Sequence, residues 1–440
     1  MLAFWCVAAC SDGPRFDEIN PNAEARLRRP CEALPEPAYA PTAAWEQALT
    51  VDVIDCNLAL PSRLRLSPDG QWLFVTQLRG ITYVYARGPD GWRFQDTAFF
   101  ELGDLGVVNE AGLTSIALAP GFDPESPESA QREVFLSYQT HTDSGNVNRI
   151  SRVVAALDSG KLVGTSPEVV WTGTGPTGDA HQVQDVHAFE MLGRVHVLAL
   201  VGDGNEPSTA ADPSTDAGTV VLMQRDGSDP LGARAWPDFP KRQAIGVRNA
   251  YSFVVLPPEV DARRGIVAVE NGNSANDRAW LKRLVDFQGE QALAHDLGYR
   301  GSDIDEAFTR TPDVASVGGL GQARNAVFSL FSPPAAPTGL ALHPGGGPIA
   351  PSDASGASLI VALFGATGNR DVTDRNGIGY LRVSNIDGPA LQSTFELMLA
   401  RRPETAGSVH HPVAVDVDPS DGTTYFADII TGALYRVALR

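Results

Sequence analysis

Six times along the chain a short apolar strand runs through a turn into a second strand, and few folds can absorb such a repeat. The units read Leu66-Ser67-Pro68-Asp69-Gly70 into WLFVTQ, Ile116-Ala117-Leu118-Ala119-Pro120 into EVFLSYQ, and Val186-His187-Ala188-Phe189 across Leu192-Gly193 into VHVLALVGDG. They continue with Phe253-Val254-Val255-Leu256-Pro257 into GIVAVENG, Leu340-Ala341-Leu342-His343-Pro344 into SLIVALFG, and Val413 to Pro419 into TTYFADIITGALYRV. Spacings of roughly 50 to 90 residues exceed the compact blade period of about 40 to 50, and long insertions in the loops at one face account for the excess. The repeat predicts an all-β, six-bladed β-propeller with long loops on one face.

A chain of 440 residues can hold two or three ordinary domains, but repetition argues for one larger body. The 43 glycines and 32 prolines punctuate many short strands. Helical periodicity is nearly absent; the clearest candidate helix is Asp277 to Leu284, with an irregular loop as the alternative. A formal charge of −19 with no Lys/Arg run disfavours nucleic acid as a partner, because phosphate binding requires a basic face. An anionic ligand would instead need arginines concentrated locally against the global field, and Arg248 and Arg370 are the candidates.

The cysteines stand at 6, 10, 31 and 56. The opening MLAFWCVAAC ends a short apolar run at Cys10, resembling the lipobox at which bacterial lipoproteins are lipidated, although the basic start of an export signal is missing. Residues 1–10 are read as lipoprotein signal, 11–50 as an exported linker rich in Pro, Ala and Glu, and 51–440 as the propeller. This implies a periplasmic or cell-surface bacterial lipoprotein that meets the membrane only through a lipid on Cys10. Cys31 and Cys56 are then an even pair in an oxidising compartment. A disulfide there would stabilise by roughly 3 kcal/mol and tie the N-terminal segment to the first blade; two buried free thiols are the alternative.

In a propeller the inner strands converge on an axial channel and the loops at one end line a pocket. Candidate residues therefore recur at equivalent blade positions, and three groups do. Glu110 stands before the inner strand of the second unit, His181-Gln182 before that of the third, and Arg248-Asn249 before that of the fourth. Loops entering strands call for Gly, Asn or Pro, so a histidine and an arginine at matching places point to chemistry.

Several fragments in order carry a family resemblance. They are Asn109-Glu110-Ala111-Gly112-Leu113 with Pro120-Gly121-Phe122, His181 followed by Leu200-Val201-Gly202-Asp203-Gly204, and Gly246-Val247-Arg248-Asn249. Then come Glu270-Asn271-Gly272-Asn273 with Asn276-Asp277, Ala336-Pro337-Thr338-Gly339-Leu340, and Gly365-Ala366-Thr367-Gly368-Asn369-Arg370. From about residue 58 onward the chain resembles the glucose/sorbosone dehydrogenases, soluble six-bladed quinoproteins. The resemblance implies oxidation of a sugar or polyol hydroxyl by hydride transfer to pyrroloquinoline quinone, with calcium polarising the quinone and a separate electron acceptor. It casts His181 as general base and Arg248 as stabiliser of charge on the quinone oxygen. Asn249, Arg370, Glu110 and His411 would contact or orient around the cofactor, and the carbonyls of Gly272 and Asn273 would ligate calcium.

The chain departs from the family pattern at four places. Ala180 stands where an acidic residue commonly precedes the base, with Asp179 one position away; Val247 replaces a histidine; Asn273 replaces a proline; and His410-His411 stands where the family places an arginine. Plainer readings make His181 a channel-lining residue, Arg248 a link between blades and the Arg370 segment a flexible turn. His187 and His196 read as structural, and Asp203-Gly204-Asn205-Glu206 fits calcium or a hairpin turn equally. Two other functions compete: a ligand-binding propeller that has lost its cofactor, and a calcium-dependent lactonase-like hydrolase using Glu110, Asn249 and Asn273.

Overall fold

Each sequence unit folds into one sheet whose inner strand and the next strand outward pair antiparallel. In the third unit Leu192 and Gly193 take positive φ of 53° and 68° and connect the paired residues Met191 and Arg194, the geometry a tight hairpin demands. The computed structural model describes residues 31 and 33–440 except 104, 106–109, 144, 166, 175–177, 179, 213, 231–240, 262–263, 273–276, 285–294, 297–326, 332–334, 350–355, 366–375, 387–390 and 403–409. The inner strands of blades 1 to 6 are Pro61–Leu66, Leu113–Leu118, Val183–Met191, Ala250–Val255, Pro337–His343 and Pro412–Val417. The next strand outward in each blade is Trp72–Gln77, Glu133–Thr142, Arg194–Val201, Gly265–Glu270, Ala357–Leu363 and Thr424–Asp428. These second strands are covered on both faces by neighbouring blades. Gly265–Glu270 and Ala357–Leu363 are accordingly buried along their whole length, and read as unbroken apolar runs with little alternation.

Hydrogen bonds between successive inner strands run around the axis. Ser62 Oγ donates to Leu113 O at 2.7 Å, Thr114 Oγ1 to Val183 O at 2.5 Å and Ser252 Oγ to Asp185 Oδ2 at 2.9 Å. Leu340 N donates to Ser252 Oγ at 3.1 Å, Thr338 Oγ1 to Pro412 O at 3.0 Å, and Leu66 N to Asp416 Oδ2 at 2.6 Å, which returns to blade 1. Arg63, 2 % exposed, crosses the axis to donate to Ser252 Oγ, Thr338 O, Gln184 O and Tyr251 O at 2.8 to 3.3 Å. One guanidinium thus bonds blades 3, 4 and 5 from blade 1, as five fixed N–H donors permit.

Three sequence expectations change. The candidate helix is the strand Asp277–Arg283, paired with Gly265–Glu270 from Glu270↔Arg278 to Gly265↔Arg283. Its strand pattern is disguised because Arg278 and Trp280 are both fully buried, each donating to Glu270 Oε2 at 2.8 and 2.7 Å. The propeller also starts before residue 51: Tyr39–Pro41 adds a fifth strand to blade 5, and Leu49–Asp55 is the outer strand of blade 6. Cys31 and Cys56 are joined, with Cα atoms 5.6 Å apart. Cys56 follows that outer strand, so the disulfide fastens the N-terminal segment to the last blade and not the first. Residues 1–30, with Cys6 and Cys10, lie outside the described residues. Among those described, no helix is long and apolar enough to cross a membrane.

Candidate active site

The loops that enter the inner strands open at one end of the ring, and the candidate residues meet there. His181 holds a left-handed φ of 56°, which turns the chain sharply into the inner strand of blade 3. Gly202 makes the turn possible, since a Cβ there would lie 2.6 Å from the His181 carbonyl oxygen. The imidazole is 1 % exposed, and its Nδ1 lies 2.5 Å from Asp203 Oδ1. With Nδ1–H donated to this carboxylate, Nε2 is the nitrogen with proton-accepting capacity. Asp203 N in turn donates to Arg248 O at 2.8 Å. The carboxylate that orients the imidazole therefore also fixes the backbone of the arginine on the next blade.

Glu110 closes the arrangement from blade 2. Its Oε2 accepts from His181 N at 3.3 Å, Gln184 Nε2 at 3.1 Å and Asn249 Nδ2 at 3.4 Å, joining three blades at one oxygen. Asn249 is 2 % exposed, and its Oδ1 has no hydrogen-bond partner among the described residues, so a buried acceptor is available to a bound molecule. Arg248, 7 % exposed, is held at its amide by Glu270 Oε1 at 2.6 Å. Its Nη1 donates to Asn271 O at 2.9 Å and Gly272 O at 3.0 Å.

Blades 5 and 6 supply a planar wall. The His411 ring stacks on Phe364 with centroids 3.9 Å apart and planes 6° from parallel, and its Nδ1 lies 2.6 Å from Phe364 O. Burial pushes the His411 imidazole below its ordinary pKa, so it stands at the mouth as a neutral ring. His410 faces inward, its Nδ1 3.3 Å from Asp428 Oδ2, which also accepts from Tyr39 OH at 3.0 Å.

The structure thus brings together Glu110, His181, Arg248 and Asn249, with Gly272 beneath Arg248 and His411 on the wall made by blades 5 and 6. Asn273, Arg370 and Asp179 lie outside the described residues. Two partners escaped the sequence reading. Asp203, read there as part of a calcium loop or a turn, is the partner of His181, and its Oδ1 also accepts from Asn205 N at 3.0 Å. Glu270 is the buried carboxylate behind Arg248, and only its place two residues before Gly272 hinted at it.

Residues 58–316 match the model of the glucose / sorbosone dehydrogenase family. The chain belongs to that family. Among solved structures, the soluble aldose sugar dehydrogenase from Escherichia coli in its apo form is similar over 89% of this chain and 100% of that one, with a TM-score of 0.63 and 17% identity. The PQQ-bound aldose sugar dehydrogenase from Streptomyces coelicolor gives 0.58 and 18% over 91% and 100%. The holo PQQ domain of a pyranose dehydrogenase from Coprinopsis cinerea gives 0.62 and 15% over 93% and 99%. At these identities the likeness is one of fold, shared by a family of six-bladed propellers. No curated protein matches the chain.

Proposed function

We propose that this dehydrogenase-family propeller oxidises a sugar or related polyol at the mouth of its ring, using pyrroloquinoline quinone and passing electrons to a separate acceptor. The observation that carries the reading is the convergence of His181, oriented by Asp203 at 2.5 Å, with Arg248 from the adjacent blade, linked to it through the Asp203 amide.

The residues present suit a flat anionic ring. Arg248 offers a buried guanidinium, the Phe364–His411 stack offers a planar wall, and the unmet Asn249 Oδ1 accepts a donor. When bound, the quinone supplies a two-electron acceptor for hydride from the carbon bearing the substrate hydroxyl. His181 Nε2 takes the hydroxyl proton, and Asp203 stabilises the imidazolium that results. Arg248 holds positive charge at the site without reorganising. Glu110 positions His181 and Asn249 together. Calcium, implied by the family resemblance, does not fit the described residues: the Gly272 carbonyl that would ligate it accepts from Arg248. Export and anchoring through Cys10 belong to the same proposal, supported by the Cys31–Cys56 disulfide.

Titrating the purified protein with the quinone should give a saturable absorbance change at one equivalent, after which aldoses reduce an artificial dye. Absence of saturable binding would leave a ligand-binding propeller in place of an enzyme. Asp203→Asn keeps the shape but no longer fixes the Nδ1–H tautomer. We expect turnover to fall about a hundred-fold or more with quinone affinity within two-fold, and the His181 Nδ1 and Nε2 resonances to show mixed tautomers by NMR. Unchanged turnover would remove Asp203 from the mechanism.

A further inference from the structure

Two consecutive carbonyls, those of Asn271 and Gly272, turn toward one point at the mouth, and a side chain stands there. Arg248 Nη1 lies 2.9 Å from the first oxygen and 3.0 Å from the second. The loop that presents them is fixed: Asn271 N donates to Asn249 O at 3.0 Å, and Gly272 N to Asp277 Oδ1 at 2.8 Å. Asp277 is itself buried, and its Oδ2 accepts from Ala335 N and Ala336 N, both at 2.7 Å. Two carbonyls beside a carboxylate are oxygen donors of the kind a hard divalent cation takes. Here every one of those oxygens already accepts an N–H, and the carbonyl pair accepts from a cation.

Calcium at ligand distance, about 2.3 to 2.6 Å from the Gly272 oxygen, would sit beside a guanidinium bonded to the same atom. Like charges at such a separation repel strongly where water is excluded. The backbone from which this guanidinium projects is fixed: the Arg248 amide is held by Glu270 and its carbonyl by Asp203 N.

We propose that Arg248 is the resident cation of this site, so that the protein takes its anionic quinone without calcium, and calcium enters the carbonyl pair only when the guanidinium is removed. The quinone half of this statement rests on the function proposed above; the calcium half stands without it.

The test is calorimetric titration of calcium into EDTA-stripped protein without quinone, for the wild type, Arg248→Ala and Arg248→Lys. The result expected is one more calcium ion bound per chain by Arg248→Ala than by the wild type, with Arg248→Lys, which keeps a cation, matching the wild type. Circular dichroism establishes that each variant retains its sheet; if Arg248→Ala does not, Arg248→Gln takes its place. Equal calcium stoichiometry in the wild type and the charge-deleted variant would overturn the proposal, as would calcium admitted by Arg248→Lys. Quinone affinity of the wild type should also change less than two-fold between EDTA and excess calcium, and a ten-fold gain with calcium would overturn it too. If no quinone binds under either condition, the proposed function fails and the calcium stoichiometry still decides the inference.

Discussion

His181→Asn lowers sugar-dependent dye reduction by about a thousand-fold while leaving the quinone titration unchanged. General base catalysis by a positioned side chain contributes typically ~10²–10⁴-fold, and His181 is the only residue assigned that work here. Asparagine preserves a polar side chain toward Asp203 and tolerates the left-handed backbone that His181 adopts at φ 56°, so the loss is one of proton acceptance and not of the loop. Steady-state rates beside quinone affinity check this. A variant retaining more than a tenth of wild-type turnover would mean that another group takes the proton.

Asp185→Ala destabilises the propeller by about 3–5 kcal/mol, the usual consequence of removing one partner from a buried ion pair. Asp185 is fully buried and lies 3.6 Å from Arg63 Nε and 3.7 Å from Arg65 Nη2. It also accepts from Ser115 Oγ at 2.6 Å, Ser252 Oγ at 2.9 Å, Val186 N at 3.0 Å and Phe253 N at 3.1 Å. Burial alone would raise its pKa, but Arg63, His187 and Arg65 outweigh it and hold the carboxyl well below the usual range. It is therefore a permanent anion facing the buried Arg63 and the partly buried Arg65, and alanine would leave these charges and four donors from three blades without it. Denaturant unfolding monitored by circular dichroism measures the loss. A change under 1 kcal/mol would show that the axial cluster is incidental to the ring's stability.

The six-fold architecture was legible because a blade is a local object: turn residues and apolar runs within one unit specify its pairing. His181 and Arg248 were legible because polar side chains recurred at a position where folding requires none. What escaped lies where distant segments meet. Asp203 reaches His181 only because the hairpin of blade 3 folds back on itself, and the two roles stand 22 positions apart in sequence. Asp277 to Leu284 looked helical because blade stacking buries both faces of a strand, and a buried Arg278 paired with Glu270 at 2.8 Å mimics a polar helix face. The outer strand of blade 6 comes from Leu49–Asp55, almost 390 residues from its partner, a pairing without any local signature. The axial cluster was hidden likewise, since Arg63 and Asp185 appear singly as polar residues in alternating strands.

Anaerobic mixing of the quinone-loaded protein with an aldose, followed by the absorbance of the bound quinone, tests the central claim most directly. One two-electron reduction per chain is predicted for the wild type, slowed about a thousand-fold in His181→Asn at equal quinone occupancy. Bound quinone that no aldose reduces, or that is reduced equally fast in both proteins, would contradict the account.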